Sequence, residues 1–62
     1  MKLFRITQTT QPKMTFLINA VDESDAMEKV AQLKYYVGCY PVGKNVLQTQ
    51  GGIQLTFTVE AV

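Results

Sequence analysis

The sequence has no histidine, no tryptophan, a single cysteine and a single serine. Catalysis near neutral pH draws on a tuned base, an activated nucleophile or a metal, and most of the side chains that supply these are missing. The solitary Cys39 excludes an internal disulfide and leaves no second thiol for a zinc site. No apolar run approaches the eighteen or so residues of a membrane-spanning helix. Charge of either sign is scarce: six Lys and Arg against five Asp and Glu leave a net +1. That is too little for binding driven chiefly by phosphate neutralisation, which needs a basic stripe.

What remains is a chain of 62 residues, 47% hydrophobic and 18% charged, a composition that packs into a globule and not into a disordered tail. It reads as one small domain over residues 1–62. A core of this size rarely supplies more than about 3–5 kcal/mol, so self-association or target binding is expected to supply the rest. Met1-Lys2-Leu3-Phe4-Arg5-Ile6 lacks the seven-residue apolar run of a signal peptide. With one free thiol, the expected setting is the reducing cytoplasm, with no membrane partner.

Periodicity divides the chain. Phe4 and Ile6 alternate with Leu3, Arg5 and Thr7, and Met14, Phe16, Ile18 and Ala20 alternate with Thr15, Leu17 and Asn19. This predicts strands over 2–9 and 14–21, joined through Thr10-Gln11-Pro12-Lys13. If Phe4 pairs with Phe16, Leu3 lies opposite Leu17. Asp22 or Ser24 can cap a following helix, and Ala26, Met27, Val30, Leu33 and Val37 form one apolar stripe along it. Gly38 is the expected stop, and Pro41 prevents resumption. After a loop over 39–44, strands over 45–50 and 53–59 flank Gly51-Gly52, with Ile53, Leu55, Phe57 and Val59 on one face. A plain two-residue loop would pair Gln48 with Leu55. A three-residue or bulged turn pairs Leu47 with Leu55 and keeps Gln48 and Gln50 off the core face, and is favoured because it costs less desolvation.

The expected fold is α+β, order ββαββ: a single helix packed on a four-stranded antiparallel or mixed sheet. This element order resembles the β-grasp plan of protein-G-type domains, which implies that the outer chain segments lie side by side in mid-sheet, strand order 2-1-4-3. The resemblance covers the element sequence of the whole chain and no specific motif.

Several groupings of side chains bear on chemistry. Asp22, Glu23, Asp25 and Glu28 match no calcium loop, and helix capping and dipole effects account for them. No metal and no cofactor is expected. Cys39 follows the helix, where the negative dipole end works against a reactive thiolate, and reads as a small buried residue. Lys34, Tyr35, Tyr36, Tyr40 and Lys44 combine rings and positive charge in a stretch without acids. Lysines beside stacking tyrosines suit single-stranded nucleic acid, although Tyr36 or Tyr40 is more simply explained as a cap on the core. On the sheet face away from the helix, Leu3 and Leu17, ringed by Arg5 and polar residues, form a candidate contact patch. The free edges of the sheet would also admit a second copy or a target strand.

The candidate partner-binding residues are therefore Leu3, Arg5, Leu17, Lys34, Tyr35, Tyr40 and Lys44. The expected function is that of a non-enzymatic protein-interaction module, alone or as a homodimer. The alternative is a small single-stranded nucleic-acid-binding protein. In size and element order, including the opening around Phe16-Leu17-Ile18-Asn19-Ala20 and Asp25-Ala26, the chain resembles small phage or mobile-element accessory proteins such as anti-CRISPR inhibitors. That resemblance implies steric inhibition of a host defence or nucleoprotein complex in the host cytoplasm, with no residue carried over as a known contact.

Overall fold

The computed structural model describes residues 1–62. The first hairpin consists of β1 (Lys2–Gln8) and β2 (Met14–Ala20). Its register sets Phe4 opposite Ile18, Ile6 opposite Phe16 and Gln8 opposite Met14, two residues away from the expected Phe4–Phe16 pairing. The expected register would have placed Pro12 opposite Gln8, where the ladder needs an N–H that proline lacks. In the observed one Pro12 stays in the turn, and its carbonyl accepts from Gln8 Nε2 at 2.9 Å.

Helix α1 (Glu23–Ala31) starts as its sequence dictates. Asp22 is the cap, its Oδ1 accepting from the Asp25 N–H at 2.8 Å. The helix ends much earlier than its apolar spacing indicates. The Gln32 and Leu33 N–H groups bond to the Lys29 and Val30 carbonyls, tightening the last turn. Leu33 is then extended (φ −65°, ψ 144°), and a short 3-10 turn, Lys34–Tyr36, follows. At 100° per residue, a continued helix would have carried Tyr36 roughly 240° away from Val30 and brought Val37 inward. The break exchanges the two: Tyr36 is 1% exposed and Val37 75%. A tyrosine with a hydrogen-bond partner buries far more surface than a valine, which favours the exchange. Gly38 (φ 88°) thus closes the 3-10 turn and not the α-helix.

The stretch over 39–44 is not a loop. Tyr40–Gly43 forms β3, a fifth strand, followed by β4 (Val46–Gln48) and β5 (Gln54–Ala61). Lys44 and Asn45 turn the chain between β3 and β4, with Asn45 at φ 57° in the left-handed region that Asn tolerates. Pro41 sits opposite Leu47, and its missing N–H falls on the free side of an edge strand, where a proline is tolerated. Between β4 and β5 the longer turn is realised. Gly52 N–H bonds to the Thr49 carbonyl at 3.0 Å, Thr49 N–H to the Ile53 carbonyl at 2.9 Å, and Gly52 adopts φ 89°. Leu47 accordingly faces Leu55. Ile53 precedes the strand and is 65% exposed, not part of the core row.

The sheet order is β2-β1-β5-β4-β3, with every neighbouring pair antiparallel. The protein is α+β with one helix on five strands. The first and last chain segments do lie side by side in mid-sheet. The added strand reverses the chain once more, so β5 runs against β1, as a four-strand plan with one helical return would not have it. Helix α1 packs against β2 and β5, straddling β1. Between them lie Phe4, Ile6, Ala26, Val30, Leu47 and Phe57. At the centre Tyr36 meets Phe16 and Phe57 edge-on, with ring centroids 5.7 and 5.5 Å away.

Two outcomes follow for stability. Val30→Ala, at a fully buried position, should lower unfolding free energy by about 1–3 kcal/mol in denaturant titration. Burial, reinforced by Tyr35 and Cys39, raises the Tyr36 phenol above its ordinary value. The neutral phenol is the form the fold favours, so its stabilisation is complete below the ordinary tyrosine pKa near 10 and is lost as pH rises through the higher folded value. Tyr36→Phe should cost about 1–3 kcal/mol at neutral pH by leaving Gln8 Oε1 without its donor. It should also reduce the loss of stability at alkaline pH, as followed by thermal melts across that range.

Candidate functional site

The sheet face opposite α1 is covered by nothing. Alternation puts Leu3, Arg5 and Thr7 of β1 on it, with Thr15, Leu17 and Asn19 of β2 and Thr56, Thr58 and Glu60 of β5. Leu17, Arg5 and Glu60 form a row across three strands, and Arg5 Nη1 donates to Glu60 Oε1 at 3.0 Å. Leu17 is 61% exposed, while Leu3 is half-buried. Leu3 lies opposite Asn19 and Leu17 opposite Arg5, so the two leucines are diagonal neighbours and not the directly facing pair expected.

Hydroxyls and amides occupy most of the rest of that face, with Val46 of β4 opposite Thr56. Thr9 and Thr56 share a hydrogen bond at 2.6 Å, and Thr7 and Thr15 a longer one at 3.4 Å. At the far end Gln54 Nε2 donates to Gln48 Oε1, and Gln48 Nε2 donates to the Tyr40 hydroxyl at 2.9 Å. Tyr40 therefore belongs to the open face, half-exposed and opposite Gln48.

The remaining members of the tyrosine and lysine group lie elsewhere. Lys34 and Tyr35 are exposed on the 3-10 turn, where Tyr35 meets the Tyr36 ring edge-on at 5.2 Å. Lys44 stands at the β3–β4 turn, beside a groove with Glu23, Ser24 and Glu28 of the helix. Lys34, Tyr35, Tyr40 and Lys44, all within residues 34–44, thus occupy three separate places, and no continuous ring-and-lysine track forms. Of the tyrosines weighed as a core cap, Tyr36 fills that role.

That groove had no clear signal in the sequence. Five strands spaced about 4.8 Å apart make a layer roughly 19 Å wide, whereas a helix is about 10 Å across. One helix therefore leaves the inner side of β3 open, while Leu47 of β4 stays buried beside it. The space is 690 Å³, floored by Met27, Ala31, Pro41 and Leu47. The signal that would have located it is Tyr40-Pro41-Val42-Gly43 with Lys44-Asn45 before Val46-Leu47, a strand–turn–strand sequence masked by its proline.

The acids at the start of the helix serve its structure. Asp22 caps α1, and Asp25 Oδ2 accepts from the Val21 N–H at 3.0 Å. That backbone donor, opposed in part by desolvation and helped by Lys29, holds the Asp25 carboxyl below its ordinary range. Lys29 Nζ lies 3.3 Å from Asp25 Oδ2 and donates to the Asn19 carbonyl at 2.9 Å. No three His, Cys, Asp or Glu side chains converge on a point that could hold a metal ion. Cys39 is half-buried against the core. No helix is long and apolar enough to cross a membrane.

Comparison with protein-family models, with curated proteins and with solved structures finds no match for this chain.

The open face is held by its strands and not by its ion pair. Arg5→Ala should change unfolding free energy by less than about 1 kcal/mol, because both partners of the pair are solvated. Urea titration of the variant beside the wild type checks this.

Proposed function

We propose that the chain is a non-enzymatic protein-interaction module that works by covering a surface of a larger protein with the open face of its sheet. The observation that carries this reading is the row Leu17, Arg5 and Glu60 on an uncovered face. An exposed leucine stands beside a charge pair, framed by threonine hydroxyls and the Gln48–Tyr40 amide and phenol. An apolar anchor within a polar surround is the anatomy of a protein-docking surface. The same proposal includes the setting implied by size and element order: a phage or mobile-element accessory protein that sterically blocks a host defence or nucleoprotein complex in the cytoplasm. Nucleic-acid binding is disfavoured by the separation of Lys34 and Tyr35 from Tyr40 and from Lys44.

The test is co-purification from lysate of the native cell, with wild type and Leu17→Asp compared at low and high salt. Leu17 is exposed, so the change should cost the fold about 1 kcal/mol or less. A protein retained by the wild type at high salt and lost by Leu17→Asp is the expected outcome. Equal retention by the variant removes the open face from consideration. A steep loss of single-stranded DNA binding with salt in a gel shift would move the function to nucleic acid.

A further inference from the structure

The two edges of the sheet are finished differently. β3 is short, carries Pro41, and has an irregular register between Pro41 and Gly43. These are features that block strand addition. β2 is seven residues long, uncharged, regular in register and without proline.

Which backbone groups of β2 are free follows from the ladder. Thr9 N–H and the Leu3 carbonyl bond toward β5, so the odd-numbered residues of β1 face β5 and the even-numbered ones face β2. The even-numbered partners on β2, Phe16 and Ile18 among them, are therefore paired with β1. Thr15, Leu17 and Asn19 direct their N–H and C=O groups away from the sheet. Two outward groups at the end of this edge are already satisfied by the helix: Lys29 Nζ holds the Asn19 carbonyl, and Asp25 holds the Val21 N–H. The free groups are those of Thr15 and Leu17, with the Asn19 N–H and the Lys13 carbonyl beside them.

We propose that two copies of the chain pair antiparallel through their β2 edges, about a two-fold axis at Phe16, to form one continuous ten-stranded sheet. In this register Thr15 of each copy exchanges both ladder bonds with Leu17 of the other, and the Asn19 N–H meets the Lys13 carbonyl. Every one of these groups is free in the monomer. Centring the axis on Leu17 instead would direct the Thr15 N–H groups, in the middle of the edge, at Asn19 carbonyls that Lys29 already occupies, a conflict that the Phe16 register confines to the terminal Lys13 N–H.

Packing allows the approach. α1 straddles β1, so the two helices would stand about three strand spacings apart, roughly 14 Å. That is wider than the 8–10 Å of packed helices, and the helices do not collide. The half-buried Phe16 and Ile18 lie in the space between, Phe16 against its own copy and Ile18 against Met14. The pairing uses rim backbone and stands independently of docking on the open face.

Sedimentation equilibrium from micromolar to millimolar concentration tests it, the range in which a small interface is read. The wild type should pass from monomer to dimer. Thr15→Pro removes an outward N–H and the exposed hydroxyl that meets Thr7, and places a ring where the second strand would lie, as edge positions permit. It should stay monomeric at every concentration with unchanged circular dichroism. A wild type that remains monomeric throughout, or a folded Thr15→Pro that dimerises equally, overturns the proposal. Should Thr15→Pro fail to fold, amide exchange of the wild type decides. With rising concentration the Thr15, Leu17 and Asn19 amides should gain protection while Phe16 and Ile18 stay protected throughout. No such alternating gain would sink the pairing. Loss of a target by Leu17→Asp, with the wild type still binding it at concentrations where it is monomeric, would leave the docking face standing whether or not the edges pair.

Discussion

The hydrogen bond from the Tyr36 hydroxyl to Gln8 Oε1, 2.6 Å long and fully buried, is the constraint on which the arrangement of the chain depends. Gln8 satisfies its own amide by donating to the Thr10 and Pro12 carbonyls, so one side chain ties the centre of the core to the β1–β2 turn. A buried amide left without these partners would cost about 1–3 kcal/mol, a large share of what so small a domain has. Tyr36 reaches Gln8 only because α1 ends at Ala31 and the chain turns through Leu33. The edge-on contacts with Phe16 and Phe57 then fix the hydroxyl between two strands that are not neighbours in the sheet. The early end of the helix, the register of the first hairpin and the placing of the turn at 34–36 are three sides of one packing solution.

Local chemistry was readable from the residues, and competition between distant groups was not. A helix cap at Asp22 or Ser24, the two hairpins and the Leu47–Leu55 register follow from alternation, turn residues and the cost of burying glutamine, and the mid-sheet position of the chain ends was implied by the β-grasp resemblance alone. The apolar spacing through Val37 was misleading because periodicity weighs Val37 and Tyr36 as equals, whereas a buried tyrosine with a waiting acceptor wins. β3 was hidden because Pro41 speaks against a strand everywhere except on an edge with its nitrogen outward. On the open face, alternation placed Leu3, Arg5 and Leu17 correctly, but the Phe4–Phe16 register that would face Leu3 with Leu17 was two residues off, and the observed register sets Leu17 against Arg5. The tyrosines and lysines over 34–44 were close in sequence and were separated by an extra strand that nothing nearby announced.

The finished molecule divides its surface into regions of different character. The helix covers the middle of one side and leaves a groove under β3 and β4. The other side is open and largely polar around Leu17 and the half-buried Leu3. One rim is closed to further strands by proline and irregular pairing. The other is closed only at its end, where Asp25 and Lys29 take the places that a neighbouring strand would fill. A helix N-cap region that also protects a sheet edge explains why Asp22, Asp25 and Lys29 gather there.

The narrow reach of the single helix also divides the fold energetically. β3 has no buried residue, and its only ladder is to the three-residue β4. Regions with few buried apolar contacts open at less than the global cost. Local opening therefore begins at residues 40–46, and Leu47, the one fully buried side chain of that hairpin, marks where such fraying stops and cooperative unfolding of the remainder begins.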